Sequence, residues 1–104
     1  MGSGRPFSAF GVRFRYARGA YPWSRLGLTV GRKAAAKAVR RNRLRRLLRE
    51  GYRLTKDRLP CPVDVVAIPL PGTVLTVERA HAAFVALADA IARRPPEGSC
   101  ETFR

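Results

Sequence analysis

From Phe10 to Tyr16 the residues FGVRFRY alternate, with Phe10, Val12, Phe14 and Tyr16 on one side of an extended chain and Arg13 and Arg15 on the other. A period of two is that of a half-buried strand. Gly19 and Pro22 interrupt it within RGAYPW, and RLGLTVG then sets Leu26, Leu28 and Val30 on one face of a second strand. The two runs are predicted to pair as an antiparallel hairpin. Between Ala34 and about Lys56 helix formers dominate, without proline and with Gly51 as the one weak residue. At about 100° per residue, Leu44, Leu47, Leu48, Gly51 and Leu54 share a stripe, and Asn42, Arg45, Arg46, Arg49, Arg53 and Lys56 gather on the far side.

Pro60 and Pro62 end this helix. DVVAI, from Asp64 to Ile68, is a short β-branched run suited to a strand buried on both faces, and PLPGT reads as a loop. Thr76 can cap a last helix in which Val77, Ala80, Phe84, Leu87 and Ile91 recur at steps of three and four. Residues 95–104 hold turn formers without periodicity and are expected to fray. The order is therefore ββαβα, an α+β arrangement with a small antiparallel or mixed sheet and helices packed on one side. A chain of 104 residues without repeats suits one domain over 1–104.

Charge changes this picture. Lys and Arg number 21 against 7 Asp and Glu, a formal net charge of +14. So large an imbalance raises the electrostatic cost of compaction and points to a polyanionic partner, nucleic acid first and an anionic membrane surface second. No window approaches the roughly 18–20 apolar residues of a membrane span. The segment from Met1 to Arg5 lacks the apolar run of a secretion signal, so a cytoplasmic protein is expected. Cys61 and Cys100 form no CxxC and have no nearby His, and are read as idle or buried thiols rather than a metal site or a disulfide.

Twelve of the basic residues lie between Arg32 and Arg58, opposed only by Glu50 and Asp57. A charged helix face is ordinarily a solvated one, but such faces mix acids and bases at four-residue steps. Here Arg41, Arg45, Arg49 and Arg53 follow one another at that step, each pair costing a few tenths of a kcal/mol in an isolated helix. Arginine outnumbers lysine nine to three in the stretch, which suits bidentate phosphate recognition. Neutralising about six phosphates would give log K a slope against log salt of roughly −4 to −5.

The flanking strands argue against a helix-turn-helix DNA reader, and the leucine stripe lacks the Trp or Phe of a membrane-surface helix. A self-sufficient nuclease needs paired carboxylates or a partnered His. The seven acids are scattered singly, and His81, the only histidine, flanks the apolar stripe of the last helix in a structural position. No catalytic residues are expected in this chain.

RLGLTVGRK from Arg25 to Lys33, followed by AVRRNRLRRLLREGYR from Ala38 to Arg53, resembles the protein subunit of bacterial ribonuclease P. That family pairs a GL(S/T)V-x-(K/R)K strand end with an "RNR" helix, whose pattern Arg41, Asn42, Arg43, Leu44, Arg45, Arg46, Arg49 and Glu50 reproduce in register; DVVAI resembles its DVVVI strand. The resemblance implies a left-handed crossover from the second strand through the basic helix, against the general right-handed rule. It also implies a holoenzyme in which a large RNA cleaves the 5′ leader from precursor tRNA, with Mg2+ held mainly by the RNA and none bound by the protein alone. This chain would be a monomer in that holoenzyme, partnered by ribonuclease P RNA and precursor tRNA and by no membrane.

Carried over on matching positions, the resemblance makes Arg41, Asn42, Arg43, Arg45, Arg46 and Arg49 RNA-binding residues, with Arg32 and Lys33 at the strand end beside them; Lys37 and Arg53 extend the same cationic face and are expected to bind RNA with them. In the family a cleft between the sheet and a first helix receives the single-stranded leader on aromatic side chains. Phe10, Phe14 and Tyr16 are the candidates for that wall, with core packing the expected fate of at least two of them. Two departures stand out: Met1 to Ser8 is too short for the family's Phe-rich first helix, and PLPG lacks a basic residue often found there. The competing readings are a structural, ribosome-associated RNA-binding protein and, more weakly, a free-standing nuclease.

Overall fold

The computed structural model describes residues 4–19 and 21–94. The expected fraying of 95–104 falls outside them. In chain order the elements are β1 (Arg5–Ala9), β2 (Val12–Arg18), β3 (Arg25–Leu28), α1 (Ala38–Thr55), a 3-10 turn (Lys56–Arg58), β4 (Val63–Pro69) and α2 (Val77–Arg93). The class is α+β as read, with one strand more than the sequence pattern suggests.

Strand order is β1-β2-β4-β3, with β1–β2 and β2–β4 antiparallel and β3–β4 parallel. The predicted hairpin between the second and third of these strands is therefore corrected, because β4 lies between them. Val63, Val65 and Ala67 of β4 are buried, and a strand so enclosed satisfies its backbone groups only when paired on both edges. β2 finds its hairpin partner in β1 instead. The two-residue turn of Phe10 and Gly11 has positive φ at both positions, 52° and 80°, as a type I′ hairpin requires. β1 was not visible in the pattern because five residues containing Pro6 carry no clear alternation; proline is tolerated there because β1 is an edge strand.

The pleat sorts β2 as expected from Val12 onward. Val12, Phe14 and Tyr16 are buried on the helix side, where Phe14 meets Phe84 edge-on at 5.0 Å and Phe7 at 6.3 Å. Phe10, expected on that face, sits in the turn and is exposed. Ala80, Ala83, Phe84, Leu87 and Ile91 of α2 complete the core with Leu48 of α1. Thr76 caps α2 by accepting from the Arg79 amide at 3.2 Å.

α1 starts four residues later than the pattern suggests, at Ala38 rather than Ala34, and its buried line is Leu48, Gly51 and Thr55. Leu44 and Leu47 are half-buried, whereas Leu54 is exposed, because the Thr55 side chain takes the inward position and donates its hydroxyl to the Gly51 carbonyl at 2.8 Å. Cys61 is buried, and Cys100 lies outside the described residues.

Gly51 fixes how α1 meets α2. A Cβ there would lie 2.9 Å from the main-chain carbon and oxygen of Ala80 and 2.9 Å from the Phe84 ring. Backbone cannot yield as a flexible side chain would, so the two helices approach this closely only over a glycine. Gly51→Ala is expected to destabilise by about 1–3 kcal/mol, although alanine is intrinsically the better helix former by up to about 1 kcal/mol. Thermal denaturation should show a lowered midpoint for this variant and none for Gly31→Ala, where a Cβ meets nothing within 4 Å.

Candidate nucleic-acid interface

With Leu48, Gly51 and Thr55 turned inward, α1 must present its remaining positions outward. Arg40, Asn42, Arg43, Arg46, Arg49 and Arg53 are exposed, and Arg41 and Arg45 are half-buried. This difference divides the arginines into two groups. Arg41 Nη1 donates to the carbonyls of Ala35 and Ala36 at 3.2 and 2.7 Å. Arg45 donates to Asn42 Oδ1 at 2.9 Å and to the Val30 carbonyl at 3.3 Å. Both therefore tie the basic helix to the connection that leads into it from β3.

Arg53 is occupied differently. Its guanidinium clamps Glu50 at 2.9 and 2.6 Å, and that hydrogen bonding holds the Glu50 carboxyl below its ordinary range. By contrast, the side chains of Arg40, Arg43, Arg46 and Arg49 make no hydrogen bond or ion pair among the described residues. They are the open part of the ridge. Arg40 was not singled out from sequence; its place in the first turn beside Arg43 was the available signal.

The start of α1 extends this cationic surface. Lys37 stands at the N-cap with no side-chain hydrogen bond, and the first turn holds no acid. A cap of Ser, Thr, Asp or Asn would satisfy one free amide, and an acid would suit the helix dipole. Lys37, Arg40 and Arg41 oppose that dipole, so the arrangement favours an anion supplied from outside. Arg32 and Lys33 are exposed in the turn just before it and line a cleft of about 410 Å3 with Arg13, Ile68 and Pro69. A second cleft of about 360 Å3 lies between Arg43, Arg46, Leu47 and Val77.

The aromatic candidates separate. Phe14 is 0% and Tyr16 3% exposed, and the Tyr16 hydroxyl donates to the Arg94 carbonyl at 2.9 Å. Both point into the helix-covered side of the sheet, the core packing expected for two of the three, and so drop out of a leader-binding wall. Phe10 is 55% exposed, alone of the three. The opposite face of the sheet carries exposed Arg13 and half-buried Arg15, Val66 and Ile68.

At the far edge of that face Arg25 grips Asp64 with two hydrogen bonds of 3.0 and 2.7 Å. Among the described residues no group of three or more His, Cys, Asp or Glu is placed to hold a metal ion. No described helix is long and apolar enough to cross a membrane.

What this geometry defines is a small α+β domain whose chemistry is cationic: it can neutralise phosphates along one helix and one helix terminus. The family model named Ribonuclease P matches residues 2–91, and the chain belongs to that family. The chain is 47% identical over 66 residues to the ribonuclease P protein component of Oleidesulfovibrio alaskensis, covering 62% of this chain and 52% of that protein. It is 47% identical over 64 residues to that of Syntrophobacter fumaroxidans, covering 61% and 51%. The chain thus spans about half the length of these curated relatives.

Among solved structures, the RNase P protein of Thermotoga maritima aligns with a TM-score of 0.59 at 26% identity, covering 88% of this chain and 81% of that one. The RNase P protein of Staphylococcus aureus aligns with a TM-score of 0.67 at 22% identity, covering 86% and 82%, a likeness of fold.

Two outcomes follow from the geometry of the site. Arg41→Ala should cost about 1 kcal/mol of stability through its lost hydrogen bonds, lowering the melting midpoint, whereas Arg46→Ala should leave the midpoint nearly unchanged. The pair of Arg25 and Asp64 sets an acid dependence: hydrogen bonding to Arg25 lowers the Asp64 pKa in the folded protein. The pair's contribution is then full above the unfolded carboxylate's pKa of about 3.9 and is lost as pH falls through the lower folded value. Melting midpoints measured down that range should show wild type and Asp64→Asn converging.

Proposed function

We propose that this chain is the protein subunit of ribonuclease P, binding the catalytic RNA and the 5′ leader of precursor tRNA and so assisting endonucleolytic removal of the leader. The observation that carries this reading is the row Arg40, Arg43, Arg46 and Arg49, exposed and unpaired among the described residues on the helix bearing the family's RNR pattern. Arg32, Lys33 and Lys37 continue the RNA contact at the helix start. Arg41 and Arg45 brace that surface, each keeping donors beyond those used on the main chain.

The leader, in this proposal, crosses the open face of the sheet rather than the Phe14 and Tyr16 side. Arg13 and Arg15 there would meet phosphates, and Val66 and Ile68 would give the bases an apolar floor. Catalysis belongs to the RNA, with Mg2+ held mainly by the RNA and the chain acting as a monomer in a cytoplasmic holoenzyme. The chain's own cations lower the repulsion between RNA and substrate backbones, a task otherwise left to dissolved ions. For that reason the protein's effect should be greatest where magnesium is scarce.

Reconstitution with a bacterial ribonuclease P RNA tests this: at low magnesium the protein should stimulate 5′ processing of precursor tRNA, and absence of stimulation contradicts the proposal. RNA co-purifying with the protein should be the structured ribonuclease P RNA; ribosomal fragments would instead support a ribosome-associated role. Arg46→Ala and Arg49→Ala should each weaken RNA affinity by about 1 kcal/mol, roughly fivefold, with the melting midpoint unaltered.

A further inference from the structure

Tyr21 and Trp23, in the connection between β2 and β3, are large aromatic side chains left 45% and 58% exposed. Their rings are parallel within 9° with centroids 5.0 Å apart, so together they present a flat plate. The plate is braced from the sheet. The Arg25 guanidinium carbon lies 4.6 Å from the Tyr21 ring centre, and the same guanidinium is clamped by Asp64 of β4 at 3.0 and 2.7 Å. Ser24 accepts the Val63 amide at 3.0 Å, fixing the chain right after Trp23 to the start of β4. An exposed aromatic pair held this firmly is preorganised, and little side-chain freedom remains to be lost on binding.

Trp23 also forms one wall of an open cleft of about 370 Å3 whose other walls include Pro22, Lys56, Leu59 and Pro60. Chemistry narrows the occupant. A cationic ligand, which aromatic faces otherwise attract, is repelled here by Arg25, Lys56 and a net charge of +14. A bare anion would need only the lysine and leaves the aromatic plate without a use. A planar, neutral base joined to a phosphate uses both, since stacking is indifferent to base identity. Lys56 directly follows α1, so the cleft lies at the end of the helix that carries the open arginines, about 27 Å long at 1.5 Å per residue.

We infer that Trp23, backed by Tyr21, is a stacking shelf for an unpaired nucleobase of the bound RNA, with Lys56 receiving the adjacent phosphate. The inference rests on the RNA-binding reading above but concerns a separate surface. Trp23 is the single tryptophan of the chain, so its fluorescence reports this site alone. Titration of the intact protein with short oligoadenylate should quench that fluorescence saturably. An abasic oligomer of equal charge should bind more weakly and leave the fluorescence unaltered.

Trp23→Ala should weaken oligoadenylate affinity about tenfold, and Trp23→Phe should restore most of it, with melting midpoints confirming that both variants fold. Equal affinity of Trp23→Ala and wild type, or equal binding of abasic and base-bearing oligomers, overturns the shelf. Arg46→Ala measured on the same RNA separates the two readings. If it alone weakens binding, the shelf fails and the helix reading stands; if Trp23→Ala alone does, the shelf stands and the helix reading fails.

Discussion

Mutual repulsion along one helix is the constraint around which this molecule is arranged. Arg40, Arg43, Arg46 and Arg49 share the open side of α1 and lack intramolecular partners among the described residues. Such a helix is not self-sustaining: its N-terminus carries Lys37 where an acceptor would serve, and like charges recur at neighbouring turns. It is held by its other side. Leu48, Gly51 and Thr55 seat it on α2, and the close approach over Gly51 brings the Ala80 backbone and the Phe84 ring into direct contact. Packing energy supplied at one face is what permits unbalanced charge on the other.

Within the same arginine-rich stretch, chemistry of one kind performs two tasks. Arg41 and Arg45 spend donors on the carbonyls of Val30, Ala35 and Ala36, and so hold the segment between β3 and α1 in place. That segment carries Arg32 and Lys33, whose positions are thereby tied to the helix. The open residues then face solvent from a rigid frame, which is how a charged surface gains geometry as well as attraction. The sheet contributes in parallel, since packing of Phe14 and Tyr16 toward the helices leaves the Arg13 and Arg15 side uncovered.

The period of the sequence made α1 and α2 legible, because each buries a regularly spaced line of side chains; β4 was legible as a strand, but it buries one face rather than the two expected, Val66 and Ile68 being half-buried on the open side. β1 escaped, being five residues long with a proline. Sheet order escaped too: adjacency of β4 to both β2 and β3 is decided by which strand is most enclosed, a tertiary matter that no local alternation encodes. Phe10 misled because it sits in the positive-φ turn ahead of β2, so the alternation begins only at Val12. The cationic surface was readable from charge alone, but the split between bracing and open arginines depends on carbonyls five to fifteen residues away. The resemblance to ribonuclease P proteins rested on ordered identities, and those fall on the helix that the fold exposes.

The most direct measurement is the dependence of affinity for ribonuclease P RNA on salt concentration. If phosphates of the RNA neutralise the open arginines and their neighbours at the helix start, log K should fall with log salt at a slope of roughly −4 to −5. A slope near zero would mean that few phosphates are met and that the ridge bears its repulsion for some other reason.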